Sequence, residues 1–272
     1  NNGKIVDSLM ISNVPLNYSY GRGLENGFFY MENPTPGSEN KVGKREISFN
    51  PIFSLDSGIY NEVSNLSVEI SALGDIYYTL DGSMPTTNSK KYNGAINLTK
   101  TTAIKAISYE NGKVKSDVIT SSYIINENHT LPVLSMTINP SNYNYLLSNI
   151  YTEQEFQGNL EFYEDGSSFN VPCSIALFGG TAREFRKKSF GIRFKSEFGA
   201  SDLVYKLFDN RDTAVYESLV LRSGSQDYPR AFFRDILGTS LVDDYTNLDN
   251  SCENHLFDAS KNEEYLQSVF NR

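Results

Sequence analysis

The chain has 272 residues, 39% hydrophobic and 21% charged, the balance of a folded protein with room for two domains of ordinary size. A formal net charge of -9 excludes a nucleic acid or an anionic membrane surface as the main partner. Two cysteines, Cys173 and Cys252, and two histidines, His129 and His255, show no zinc-ligand spacing and argue against a histidine-dependent hydrolase. No apolar run approaches the roughly 20 residues that span a bilayer.

Residues 1–40 contain two strand-like apolar runs, 5–11 and 27–31, and end at Asn33-Pro34-Thr35-Pro36-Gly37, which breaks regular structure. The opening Asn-Asn-Gly-Lys-Ile-Val reads as a boundary left by processing or truncation, so the missing signal peptide says nothing about export. Residues 44–126 read as short strands at the spacing of a β-sandwich: 66–70, 75–80, 103–108 and 118–123 alternate or nearly so. Asp81-Gly82 after one of them is a tight-turn signal. Tyr77 and Tyr78 fall on opposite faces of one strand, so at least one packs inward, and a spacer or packing role ranks ahead of sugar binding.

From residue 131 the character changes. An apolar strand over 131–138 is ended by Asn139-Pro140, an alternating strand over 158–163 turns at Glu164-Asp165-Gly166, and a return strand covers 171–178. Next come the cationic cluster Arg183, Arg186, Lys187 and Lys188, an alternating strand to Phe194, and strands over 203–208 and 218–222. One helix is expected over 229–245, where Phe232, Phe233, Ile236, Leu237 and Leu241 recur at helical spacing after Pro229. Strands followed by a helix point to an α+β layout.

Residues 178–194, FGGTAREFRKKSFGIRF, have the layout of a phosphate-binding hairpin: Gly179 and Gly180 let the backbone approach an anion, and a lysine at the head of the next strand supplies fixed positive charge. An ordinary hairpin with solvated basic residues has the same spacing.

Three resemblances add to this reading. The pattern GKIVDSLMI, SYGR, FFYMENPTPGSEN resembles the closing strands of a lamin-tail domain. YYTLDGSMPT, YNGAINL and TTAIKAISYENGKVKSDVITSSY resemble the β-sandwich module appended to chitobiases and hexosaminidases. LPVLSMTI, LEFYEDGS, ALFGGTAREFRKKSFGIRF, LFDN and SLVLRSGSQD with FRDIL, in that order, resemble the spore-coat CotH kinase family. Together they imply a multidomain protein: lamin-tail closing strands over 1–40, an all-β, Ig-like sandwich over 44–126, and the N-terminal part of an α+β atypical-kinase-like domain over 131–272.

The last resemblance implies secreted atypical protein kinases that use ATP and a divalent metal, here Mg2+. Lys188 matches the family lysine and is assigned the phosphate contact, with Gly179 and Gly180 giving close approach, Arg183 as a second cation, and Arg222 and Arg234 as supporting phosphate or structural partners. The family carries its catalytic and metal-binding aspartates beyond the helix. Asp243, Asp244, Asp249 and Asp258 sit in no matching motif here, so the chain is expected to hold the nucleotide-cradling half.

Three function classes follow. The chain is part of a secreted or surface kinase acting on a surface or spore-coat protein, an adhesion module for a wall or glycan, or a coat component that keeps the fold without activity. Its many Tyr, few Cys and absent Trp resemble bacterial secreted or surface β-proteins.

Overall fold

The computed structural model describes residues 5, 8–11, 14–25, 27–164, 166–208, 213–223 and 258–260. Strands dominate. A short hairpin, β1 (Ser19–Arg22) with β2 (Phe28–Met31), comes first, burying Phe29 and Met31 on one face and setting Tyr20, Phe28 and Tyr30 together on the other. Residues 5 and 8–11 form no strand, contrary to the run of apolar residues there.

The sandwich follows. Its larger sheet has the order β4 (Gly58–Tyr60), β11 (Ile119–Ile125), β10 (Thr102–Tyr109), β7 (Asp75–Thr79), β8 (Lys90–Lys91), antiparallel except for β4 beside β11. Two small pairs, β3 (Ile52–Phe53) with β6 (Ile70–Ser71) and β5 (Leu66–Val68) with β9 (Ile96–Leu98), complete it. Alternation fills the space between: Leu66, Val68, Ile76, Tyr78, Ile96, Leu98, Ile104, Ala106 and Tyr123 form one core. Of the tyrosine pair, Tyr78 is buried and Tyr77 half-buried, as the alternation required.

A six-stranded sheet makes up most of the rest, in the order β18 (Ser218–Leu221), β15 (Ser189–Arg193), β14 (Ser167–Phe178), β13 (Phe156–Glu164), β12 (Val133–Ile138), β19 (Asp258–Ser260). All neighbours are antiparallel but β12 and β19. One face is apolar: Leu134, Met136, Leu160, Phe162, Ile175, Leu177, Phe190 and Ile192 pack with Tyr143 and Leu146 of the helix α1 (Pro140–Ser148). The small pair β16 (Leu203–Val204) and β17 (Val215–Tyr216) lies beside this core through Leu203 and Tyr216. The expected strand over 203–208 therefore shrinks to two residues, Leu203 and Val204, paired with Tyr216 and Val215, and the Tyr205 N–H closes the pair on the Ala214 carbonyl at 2.8 Å.

The other face is polar, with Ser135, Thr137, Asn159, Glu161 and Ser174 all buried. Part of it lies against the outer face of the large sandwich sheet: Ile124 clusters with Val133 and Tyr163, and Ser122 bonds Glu161. That sheet is therefore covered on both faces, which is why β10 and β11 are buried almost without alternation.

Two expectations need correction. Asn139-Pro140 does not merely end a strand but starts α1: the Asn139 side chain accepts from the Ser141 N–H, and Pro140 takes the first turn. The segment, rich in Asn and Tyr, lacks the apolar periodicity that announces a helix. The α+β expectation for 131–272 is also not evident, since among the described residues this part is a sheet with one helix. The helix expected over 229–245, and with it Arg234, lies outside the described residues.

Tyr143 stacks on Phe190 with ring centroids 6.4 Å apart, and its buried hydroxyl has no hydrogen-bond partner among the described residues. Burial pushes this phenol up to about 12. Tyr143→Phe is expected to be neutral or to stabilise by about 1 kcal/mol, because it removes a desolvated hydroxyl without breaking a bond; thermal melting checks it.

The candidate anion-binding hairpin

The hairpin between β14 and β15 pairs Phe178 with Ser189 at its mouth. Gly179 has φ +101, a conformation that L side chains rarely adopt, and a Cβ there would lie 3.2 Å from that of Ala182. At Gly180 a Cβ would meet nothing within 4 Å, so that glycine faces open space. The chain then makes a single 3-10 turn, Thr181–Glu184, and runs on to Lys188.

Contacts tie this turn down. The Arg183 guanidinium donates through Nη1 to the carbonyls of Ile150, at 3.3 Å, and Thr152, at 3.0 Å, and lies 3.4 Å from the Glu153 carboxylate. The Tyr151 hydroxyl donates to Glu184. Both contacts fasten the turn to the stretch that follows α1. Lys188 is 9% exposed and its Nζ donates to the Arg183 carbonyl at 2.5 Å. Burial lowers the pKa of both Lys188 and Lys187, while Arg186 is exposed.

The predicted residues thus separate. Gly179, Gly180, Arg183 and Lys188 share one turn, but Arg183 spends its guanidinium on main-chain carbonyls, a structural use of the cation. Arg222 follows β18 with its side chain exposed. The neighbouring Ser223 is bound to the hairpin's second strand: its N–H donates to the Ser189 hydroxyl at 3.0 Å.

An ammonium has three donors, and among the described residues that of Lys188 has one acceptor, so the group fits a phosphate oxygen in chemistry. A metal is different. No group of three or more His, Cys, Asp or Glu that could hold one occurs among the described residues, so no metal role is assigned to any of them. Asp243, Asp244 and Asp249 lie outside the described residues, and Asp258 belongs to β19. Cys173 is a buried free thiol; Cys252 is outside the described residues.

Two polar clusters escaped the sequence reading. At the start of β13, Glu155 accepts from Lys195 at 2.5 Å, Arg193 at 3.1 Å and the Ser174 hydroxyl at 2.5 Å. Burial pushes its carboxyl up, but the bonds from Lys195 and Ser174, with the charges of Lys195 and Arg193, outweigh this and hold it low. The other surrounds Glu161, fully buried at 0% exposure. Strand alternation puts Glu161 opposite Leu160 and Phe162, but no sequence pattern tells that this second face is covered.

Among known families, the model of the one described as Fn3 associated matches residues 67–123, the stretch from β5 to β11. The chain carries there a β-sandwich module similar to that family. No curated protein and no solved structure matches the chain. No helix among the described residues is long and apolar enough to cross a membrane.

Proposed function

We propose that this chain carries the nucleotide-binding hairpin of a secreted or surface-associated CotH-type protein kinase, which takes ATP with Mg2+ and phosphorylates a surface or spore-coat protein. The observation that supports this most directly is the Lys188 ammonium, held on the Arg183 carbonyl of the 3-10 turn that follows Gly179 and Gly180, its single acceptor among the described residues. A preset cation beside a glycine turn is what a phosphate chain needs. The family reading itself rests on the ordered sequence blocks. Lamin-tail-like strands and an Fn3-associated sandwich before the hairpin accord with a cell-surface setting.

A second reading is a non-catalytic surface or coat component, with adhesion to a cell-wall glycan as its binding form. It is favoured by Arg183, whose guanidinium is engaged by the carbonyls of Ile150 and Thr152.

Thermal melting of the chain with and without saturating Mg-ATP separates them. Ligand at roughly 100 times its dissociation constant adds about 2.7 kcal/mol, a rise of a few degrees. The rise is expected in the native chain, smaller in Lys188→Arg, and absent in Lys188→Met, each compared with its own ligand-free melt. No rise in the native chain defeats the nucleotide reading, and retention on insoluble polysaccharide by both native and Lys188→Met chains would support the adhesive one.

A further inference from the structure

The sandwich and the six-stranded sheet meet around one carboxylate. Oε1 of Glu161 accepts from the Ser122 N–H at 3.1 Å, the Tyr163 hydroxyl at 3.1 Å and the Asn170 amide at 3.0 Å. Oε2 accepts from the Ser122 hydroxyl, which in turn accepts from the Ser135 hydroxyl at 3.2 Å. Ser122 belongs to β11 of the sandwich, whereas Tyr163 and Asn170 belong to β13 and β14. Half of the donors around this fully buried group therefore come from each side, and neither side alone could keep a carboxylate solvated.

Other contacts close the same seam. The Asn170 amide also donates to the Thr120 carbonyl at 2.8 Å. Gly82, at φ +78, stands so close to β12 that a Cβ would lie 2.7 Å from the Ile138 carbonyl. The connection from β11 to β12 is fastened before it leaves the sandwich. There the Asn126 N–H donates to the Tyr60 carbonyl at 2.9 Å, and its side chain bonds both the N–H and the carbonyl of Val63, at 3.1 and 2.6 Å.

We infer that the Fn3-associated sandwich and the six-stranded sheet form one cooperative unit whose register is set by Glu161, so that the sandwich is a wall of the second sheet and not a detachable spacer. Strand β14 carries Asn170 at this seam and Gly179 just past its other end, about 30 Å away at the rise of an extended strand. The seam therefore fixes where the hairpin turn stands relative to the sandwich. This holds whether or not the hairpin binds a nucleotide.

The test is amide hydrogen exchange of the whole chain by mass spectrometry, with urea unfolding followed in parallel. The native chain is expected to unfold in one transition, with protection lost together over 102–125 and 156–178. Glu161→Ala is expected to speed exchange about tenfold or more in β11 and in β13 alike, on both sides of the seam. Ser122→Ala is the gentler variant, should Glu161→Ala fail to fold, and is expected to do the same more weakly. Two separate transitions in the native chain overturn the inference. So does either variant whose faster exchange is confined to the strand that carries the substitution.

Discussion

Gly158→Val is expected to destabilise the chain by roughly 3 kcal/mol through overpacking of the second sheet. Gly158 sits in β13, the strand flanked by β12 and β14, opposite Ile138 on one side and Cys173 on the other. A Cβ there would overlap Ile175 Cδ1 and come within 2.8 Å of the Thr137 carbonyl. Ile175 could turn aside only by leaving the packed face it shares with Phe190 and Ile192, and the carbonyl belongs to a strand held in register with β13 on both sides of Thr137. Valine has good strand propensity and would be a favourable choice on propensity alone. Its expected failure isolates packing as the cause. Urea unfolding measures it: the midpoint should fall with little change in slope, and an unchanged midpoint would mean that Ile175 has room the structure does not show.

Lys105→Met is expected to stabilise the chain at pH 7 by up to roughly 3 kcal/mol. Lys105 on β10 is 2% exposed, on the face opposite Ile104 and Ala106, which belong to the sandwich core. Burial pushes its amine down from 10.5 to about 8, with Cys173, Glu161 and Asp81 pulling it back up. The unfolded chain holds this proton to about 10.5, and the folded chain releases it near 8. Between those values the unfolded state binds more protons, so stability rises with pH across that window, and below it the cost of burying the charge is present in full. The advantage of Lys105→Met should accordingly be greatest below pH 8 and shrink toward pH 10.5.

Tyrosines complicate the raw curve but not the difference. Burial raises the phenols of Tyr123 and Tyr143 to about 12, so folding loses stability above pH 10 as unfolded tyrosines ionise. That loss is common to both chains and cancels when variant and native are compared. A variant less stable than the native chain at pH 7 would show instead that Lys105 mainly serves as countercharge to Glu161.

Local pattern was enough for much of the strand map. The alternation in 158–163, 171–178 and 189–194 predicts which side chains face the core, because pleating sends neighbours to opposite faces whatever lies beyond. The Asp81-Gly82 turn, the conformation demanded at Gly179 and the cationic run ending at Lys188 are likewise local matters of backbone freedom and charge. The helix at Pro140–Ser148 was missed because its two determinants, the Asn139 cap and Pro140, equally read as a strand terminator.

Tertiary structure alone decided the fate of the polar residues. Arg183 and Lys188 both read in sequence as candidate phosphate cations, yet one became a clamp on the carbonyls of Ile150 and Thr152 while the other is buried with its ammonium on the Arg183 carbonyl. Glu161 and Lys105 each occupy what a half-buried strand would show to water. Both are buried because another sheet covers that face, and a covering surface more than thirty residues away in sequence leaves no mark on local periodicity. Hydrophobic side chains reveal their strand face by their own spacing; a buried charge is defined by its partners, and only the folded chain brings those together.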